Sequence, residues 1–197
     1  MVFGDEKATI PDGFVTHEFL IRPLSETDVE LDYAAVMESK EYLRKWEQAN
    51  WPSDDFTLAD NLKDLQRHER EHINRESFTF TVMNPAETEC LGCIYIFPLT
   101  ARWLSKAEAT PKGETAWSDY EAVISFWIRQ SRLAEGMERR LLDVLCPWFE
   151  QEWTFDDLLY FTNEAVGQQA AMFERAGLKL QFEVELPKQS AKSLTYT

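Results

Sequence analysis

Four arginines, Arg129, Arg132, Arg139 and Arg140, fall within twelve residues of this chain and surround one glycine, Gly136. The 197 residues hold 20 Lys plus Arg against 35 Asp plus Glu, so this basic run is a local exception in an acidic protein. Guanidinium forks and free amides at a helix start both favour oxyanions, so the run has the makings of a phosphate site. Just upstream, Glu121 could take a proton from an amine, with Asp119 and Glu114 nearby; a solvated strand end is its other reading. His68-Glu-Arg-Glu-His72 has the spacing of a zinc-protease helix. Its intervening positions are charged and the only other histidine is His17, so a charged helix end stands beside a zinc site at His68 and His72 as a reading. Cys90 and Cys93 could join those histidines in a four-ligand site. Side chains three apart on a regular strand point to opposite faces, however, so buried free thiols are expected unless the chain turns at Gly92.

The elements that must position these groups follow from periodicity. Residues 120–128 are apolar on both faces, as in a strand inside a sheet, and Met137, Leu141, Leu142, Leu145, Trp148 and Phe149 then recur at helical spacing. The arginine run joins the two. Earlier, after a loose lead-in over residues 1–13, residues 17–24 read as a strand stopped by Pro23. Ser25-Glu-Thr-Asp caps a helix that turns Val29, Tyr33, Val36, Met37 and Leu43 inward. Beyond a turn at Trp46, Trp51 and Pro52, residues 54–74 form a second helix with Leu58, Leu62 and Leu65 on its apolar side. Residues 77–83 alternate with Phe78, Phe80 and Val82 on one face, and residues 90–97 return as a buried strand, making a hairpin. Residues 99–118 lack a strong period and read as a loop with a helical turn over 106–110. Residues 157–163 give a strand, 165–176 a helix ended by Gly177, and 178–186 with 193–196 a hairpin. Trp103, Trp117 and Trp127 could line an acceptor pocket or serve as packing.

Composition narrows the function. Hydrophobic content of 44% and aromatic content of 13% are those of one folded domain spanning residues 1–197. A net charge of -15 and a pI near 4.6 argue against nucleic acid and anionic membrane surfaces, and favour a cationic or amine partner. No apolar run is long enough to span a bilayer, and the N-terminal residues lack a secretory pattern. With an odd count of three cysteines, the expectation is reduced thiols in the cytoplasm.

The order strand, two helices, three strands, helix, strand, helix, two strands resembles the GNAT superfamily of acyl-CoA-dependent N-acetyltransferases from about His17 onward. Two stretches carry the resemblance. Leu133-Ala-Glu-Gly-Met-Glu-Arg-Arg-Leu-Leu stands where the family has a Gln/Arg-x-x-Gly-x-Gly/Ala turn and helix. Asn163-Glu-Ala-Val-Gly-Gln-Gln-Ala-Ala-Met-Phe-Glu-Arg-Ala-Gly-Leu resembles the family's strand-end Asn with its aromatic-Glu-Lys/Arg-x-Gly-hydrophobic helix end. The resemblance implies an α+β (mixed α/β) domain with a mostly antiparallel sheet of about seven strands flanked by about four helices. It further implies acetyl-CoA as cosubstrate and no metal. The pantetheine arm would pair with backbone of Phe126, Trp127 and Ile128, and the pyrophosphate would meet amides of Ala134, Glu135, Gly136, Met137 and Glu138. Arg129, Arg132 and Asn163 complete the implied cofactor set, and Glu121 is the candidate base. The implied acceptor is a small-molecule amine or a basic peptide N-terminus, and a homodimer is allowed. Three positions depart from the family pattern: Leu133, Glu138, and Phe173 where a general-acid tyrosine is frequent. A non-catalytic acyl-CoA-binding or sensing protein is therefore the alternative.

Overall fold

The computed structural model describes Phe3 and residues 8–155 and 157–197. Nine strands form one sheet: β1 (Phe14–Val15), β2 (Leu20–Pro23), β3 (Phe78–Met83), β4 (Cys90–Pro98), β5 (Glu108–Pro111), β6 (Ala122–Ile128), β7 (Leu158–Asn163), β8 (Leu180–Glu185) and β9 (Ser193–Tyr196). Their spatial order is β1-β2-β3-β4-β6-β7-β9-β8-β5, and every pairing is antiparallel except β6 with β7.

Among the described residues six α-helices flank the sheet: α1 (Val29–Glu38), α2 (Lys40–Glu47), α3 (Leu58–Ile73), α4 (Gln130–Leu133), α5 (Met137–Glu152) and α6 (Gly167–Arg175). Strand alternation decides which helix meets which face. Phe78, Phe80 and Val82 of β3 and Ile124, Phe126 and Ile128 of β6 pack with Leu141, Leu145 and Phe149 of α5 and Phe173 of α6. Trp127 of β6, with Cys93 and Tyr95 of β4, packs instead with Ala35 and Val36 of α1, Leu43 of α2 and Leu65 of α3. Each face thus has its own core, and both strands are buried throughout.

Sequence patterning located the main elements, with corrections where tertiary pairing overrides it. Ser25 caps the first helical segment in a reciprocal box with Asp28, and Thr57 with Asp60 does the same for α3. That second cap starts α3 later than residue 54 and leaves Leu58 exposed; Asn61 and Leu65 are its buried residues. The helical turn expected over 106–110 is instead the edge strand β5, which pairs Ala109 with Val184 of β8. The last two strands do form a hairpin. The N-terminal lead-in falls partly outside the described residues, but Phe3 stacks on Phe78 and Phe155.

Candidate functional site

The sheet opens where its one parallel pair separates. β6 and β7 stay in register at Ala122 with Leu158, Val123 with Leu159 and Ile124 with Tyr160. Beyond that point β7 pairs through Phe161, Thr162 and Asn163 with β9, while β6 continues along β4 to Ile128. The two strands part, leaving the edge of β6 from Ser125 to Ile128 without a strand partner on that side. A wedge of this kind exposes backbone donors and acceptors that a ligand could pair with.

At the open end the chain turns through α4 into α5. Gly136 is the N-cap of α5 and adopts a left-handed conformation, φ 71°, which costs a glycine little and any L side chain more. It contributes no side-chain hydrogen bond to the first turn of the helix. Such an uncapped start of a long helix presents amides and the positive end of the dipole to an anion. Ala134, Glu135, Gly136, Met137 and Glu138, expected to meet pyrophosphate, are brought together here, beside the edge of Phe126, Trp127 and Ile128.

The four arginines are already engaged. Arg129 forms ion pairs with Glu38 and, at 3.0 Å, Glu89; Arg132 bonds Glu89 at 2.9 Å and Glu135 at 3.2 Å. Arg139 pairs with Asp143, one turn along α5. Arg140 forks onto Glu18 at 2.6 Å and also donates to the Glu135 carbonyl at 2.6 Å, which braces the loop ahead of Gly136. Glu38 accepts from the Ser131 amide at 3.0 Å, and the Ser39 hydroxyl accepts from the Gln130 amide at 2.9 Å. Arg129 holds the Glu38 carboxyl down at about 2, so it is ionised at neutral pH. The Glu38 carboxylate and the Ser39 hydroxyl at the end of α1 thus already satisfy the first two amides of α4.

Inside the wedge lies a polar network. The Gln169 amide nitrogen donates to the Phe126 carbonyl at 2.9 Å and to Glu138 Oε1 at 3.0 Å, and its oxygen accepts from the Thr162 hydroxyl at 2.6 Å. Tyr42 of α2 donates its hydroxyl to the same Glu138 oxygen at 3.2 Å. Glu138 is 8% exposed, and burial pushes its carboxyl up to about 7 despite the two donors. Burial foremost, and then the Glu138 charge, also raise the Tyr42 hydroxyl. Chemically, the wedge holds a carboxyl poised to change protonation near neutrality, on a strand edge whose one carbonyl is covered by a side chain.

The remaining predicted residues lie apart. Trp127 is fully buried on the opposite face, its indole N–H donating to the Tyr95 hydroxyl at 3.2 Å. Asn163 caps the turn after β7 and donates to the carbonyls of Lys45 and Trp46, so its amide ties β7 to the end of α2. Glu121 is exposed at the closed end of the β6–β7 pair, where its backbone bonds Leu99 and Asp157. It is not brought together with the turn at Gly136. Phe173 is fully buried against the rings of Phe126, Tyr160 and Tyr196. His68 and His72 both turn to Thr79 of β3, at 3.1 Å to its hydroxyl and 3.2 Å to its carbonyl, and burial depresses His68 to about 3. Among the described residues they belong to no cluster of three metal donors.

Sequence reasoning missed Tyr42, Thr162 and Gln169 in the wedge and Glu18, Glu38 and Glu89 on the arginines. Only Gln169 carried a signal, since it lies within the stretch from Asn163 to Leu178.

No protein-family model and no curated protein matches the chain. Solved structures do. A RimL ribosomal L7/L12 alpha-N-protein acetyltransferase in complex with coenzyme A aligns with TM-score 0.68 at 14% identity, over 92% of this chain and 94% of that one. The microcin C7 self-immunity acetyltransferase MccE, in complex with acetyl-CoA and AMP, aligns with TM-score 0.69 at 14% identity, over 95% and 96%. A ribosomal-protein-S5-alanine acetyltransferase from Vibrio fischeri gives 0.66 and 14%, over 93% of each chain. Each likeness covers more than nine-tenths of both chains, so the chain has the GNAT fold shared by these acetyltransferases.

Proposed function

We propose that this chain is an acyl-CoA-dependent N-acetyltransferase acting on a primary amine. The observation that carries the reading is the parting of β6 from β7 beyond Ile124, beside an α5 start that has a left-handed glycine and no side-chain cap. The exposed edge suits an extended amide-bearing arm, and the helix start suits a phosphate. Acetyl-CoA supplies the acyl group as a thioester. The α5 amides hold its pyrophosphate and the β6 edge orients its arm, once Gln169 has released the Phe126 carbonyl. The acceptor nitrogen forms the new bond to the acyl carbon as the carbon–sulfur bond breaks, and the sulfur leaves as a thiol. Glu121 takes the amine proton through water, since it lies roughly 10 Å along the strand from Ile124 at ~3.3 Å per residue. With Phe173 buried, the proton on the departing sulfur comes from solvent.

A basic peptide N-terminus is the proposed acceptor class. The acidic balance of the chain supports it, as does the alpha-N-protein acetyltransferase among the structural neighbours. The three free cysteines support a reducing, cytoplasmic setting. A second reading, a GNAT-fold protein that binds acyl-CoA without transferring the acyl group, is favoured by the Glu138–Gln169–Tyr42 network and by Phe173. Calorimetric titration of acetyl-CoA, with desulfo-CoA and ATP as comparison ligands, tests both. Micromolar binding of acetyl-CoA but not ATP, with thiol release on adding basic peptides, supports the transferase. Binding without turnover across the peptide panel supports the second reading. No binding overturns both.

A further inference from the structure

A second cluster of chemically capable groups lies on the far face of the sheet, under α1. Cys90 and Cys93 of β4 are free thiols, fully buried beside Asp32 of α1, and the donor atoms of the three residues all lie within 4.8 Å of one another. The expectation that residues three apart on a strand face opposite ways fails here for a specific reason. The β3–β4 register shifts between Val82 and Met83: Val82 sits opposite Gly92, and Met83 opposite Cys90, so Leu91 is an extra residue. Cys90 thereby faces Met83 while Cys93 faces Thr81, and two positions two apart on β3 share a face. Gly92 permits the bulge, because a Cβ there would stand 2.0 Å from the Trp127 carbonyl oxygen.

The contents of the cluster are unbalanced. Asp32 is 3% exposed and accepts from the Asn61 amide at 2.8 Å and the Cys93 thiol at 3.5 Å. Among the described residues the charges that act most on it are those of Asp28 and Asp64, both acidic, and Asp28 is itself occupied by Arg22. Cys90 reaches the Gly92 carbonyl at 3.6 Å and the Thr81 hydroxyl at 3.8 Å, both long sulfur contacts, and otherwise meets the Cys93 thiol. The Asn61 carbonyl oxygen, on a residue 1% exposed, has no hydrogen-bond partner at all. Burying a carboxylate and an orphan carbonyl is costly unless something positive joins them. Two sulfurs and a carboxylate oxygen around one point, with the Asn61 amide against that carboxylate, make a donor set for a borderline-soft divalent cation.

We propose that Cys90, Cys93 and Asp32 bind one Zn²⁺ ion, with Asn61 turning its amide over to bring Oδ1 in as the fourth ligand where its nitrogen now meets Asp32. Tetrahedral thiolates at ~2.3 Å from zinc stand about 3.8 Å apart, so atoms already within 4.8 Å of one another need only a small closure. Binding releases the two thiol protons to solvent and leaves the oxidation state of sulfur and metal unchanged. The ion would tie α1 to β4. Because α1 ends in Glu38 and Ser39, which hold the start of α4, it would also steady the turn leading to Gly136. The site is independent of the acyl-transfer reading.

The test is metal analysis of the full chain, purified without an affinity tag or chelator and equilibrated with zinc chloride. The expected result is one zinc per chain, retained in a His68→Ala/His72→Ala variant and lost in Cys90→Ala/Cys93→Ala. Chelation should lower the melting temperature by about 5 °C or more. Should the cysteine variant fail to fold, Co²⁺ added to the unaltered chain gives the same answer through the thiolate-to-cobalt charge-transfer absorption. A chain that takes up neither metal, cobalt bound without that absorption, or zinc that leaves with the histidine variant overturns the proposal.

Discussion

Glu138 occupies a position where the family pattern calls for glycine or alanine, and its surroundings make it the most consequential side chain in the wedge. Burial raises its carboxyl from 4.5 to about 7, so the folded protein holds this proton more tightly than the unfolded chain does. Stability from this group is therefore fully present below about pH 4.5 and is lost as pH rises to about 7, on the order of 3 kcal/mol in all. Glu38, held at about 2, titrates below that window. Glu138→Gln keeps an oxygen for Tyr42 and Gln169 but cannot ionise. His68, held neutral down to about pH 3, gains stability over the same range in both chains, so denaturant unfolding at pH 5 and pH 8 should show the parent losing more, or gaining less, than the variant; equal changes would remove Glu138 as the cause. Clearing the wedge has a different effect. Glu138→Ala with Gln169→Ala restores a small residue at the helix start and frees the Phe126 carbonyl, so acetyl-CoA should bind about tenfold or more tighter by calorimetry. Unchanged affinity would mean the network does not compete with the ligand. For Glu121→Gln, turnover should fall about 10²-fold and lose its rise with pH while acetyl-CoA affinity stays, because a general base acts on the acceptor. A parent-like pH profile would exclude Glu121 from the reaction.

At the level of elements, β4 governs how the site is built, since it pairs with β6 from Gly92 to Pro98 and carries the bulge at Leu91, next to Gly92. A methyl group at that position has no room, because the Trp127 carbonyl oxygen would sit 2.0 Å away and belongs to backbone rather than to a side chain that can swing aside. Gly92→Ala should therefore cost about 2–3 kcal/mol of stability as β4 and β6 are pushed apart, measured by denaturant unfolding. A loss under about 0.5 kcal/mol would show that the bulge relaxes without strain. The helix α5 was legible from its spacing, and its buried apolar residues Met137, Leu141, Leu142, Leu145, Trp148 and Phe149 are those the sequence pattern picked out, whereas the burial of Glu138 was not. β5 was not legible: residues 108–111 are short and mostly exposed, and only their ladder with β8 makes them a strand. The bulge at Leu91 was half legible: Gly92 marked the place where the strand could break its alternation, but only the pairing with β3 shows that it does.

For the whole molecule, the net charge of -15 is distributed against a basic run that is itself neutralised from three directions, by Glu18, Glu38 and Glu89. Sequence alone exposed the arginines because they are contiguous. Their partners lie far away in the chain, so the engagement of the arginines became visible only with the fold. The outward field of the protein is accordingly negative, and the proposed transfer to a basic peptide should be steered by it. Raising ionic strength from about 0.05 to 0.3 M should lower kcat/KM for a basic peptide several-fold and leave a neutral peptide nearly unaffected. Equal salt responses would separate the charge of the protein from its choice of acceptor. One topological detail reaches into how the protein is made. β9 lies inside the sheet, between β7 and β8, and it is the strand that holds Phe161, Thr162 and Asn163 away from β6. Translation delivers residues 193–196 after every other strand of the sheet. A ribosome can therefore release β1 to β4 and β6 ready to pair, but the two walls of the wedge cannot be set apart until this segment has cleared the exit tunnel. Until then, β7 and β8 wait with open edges.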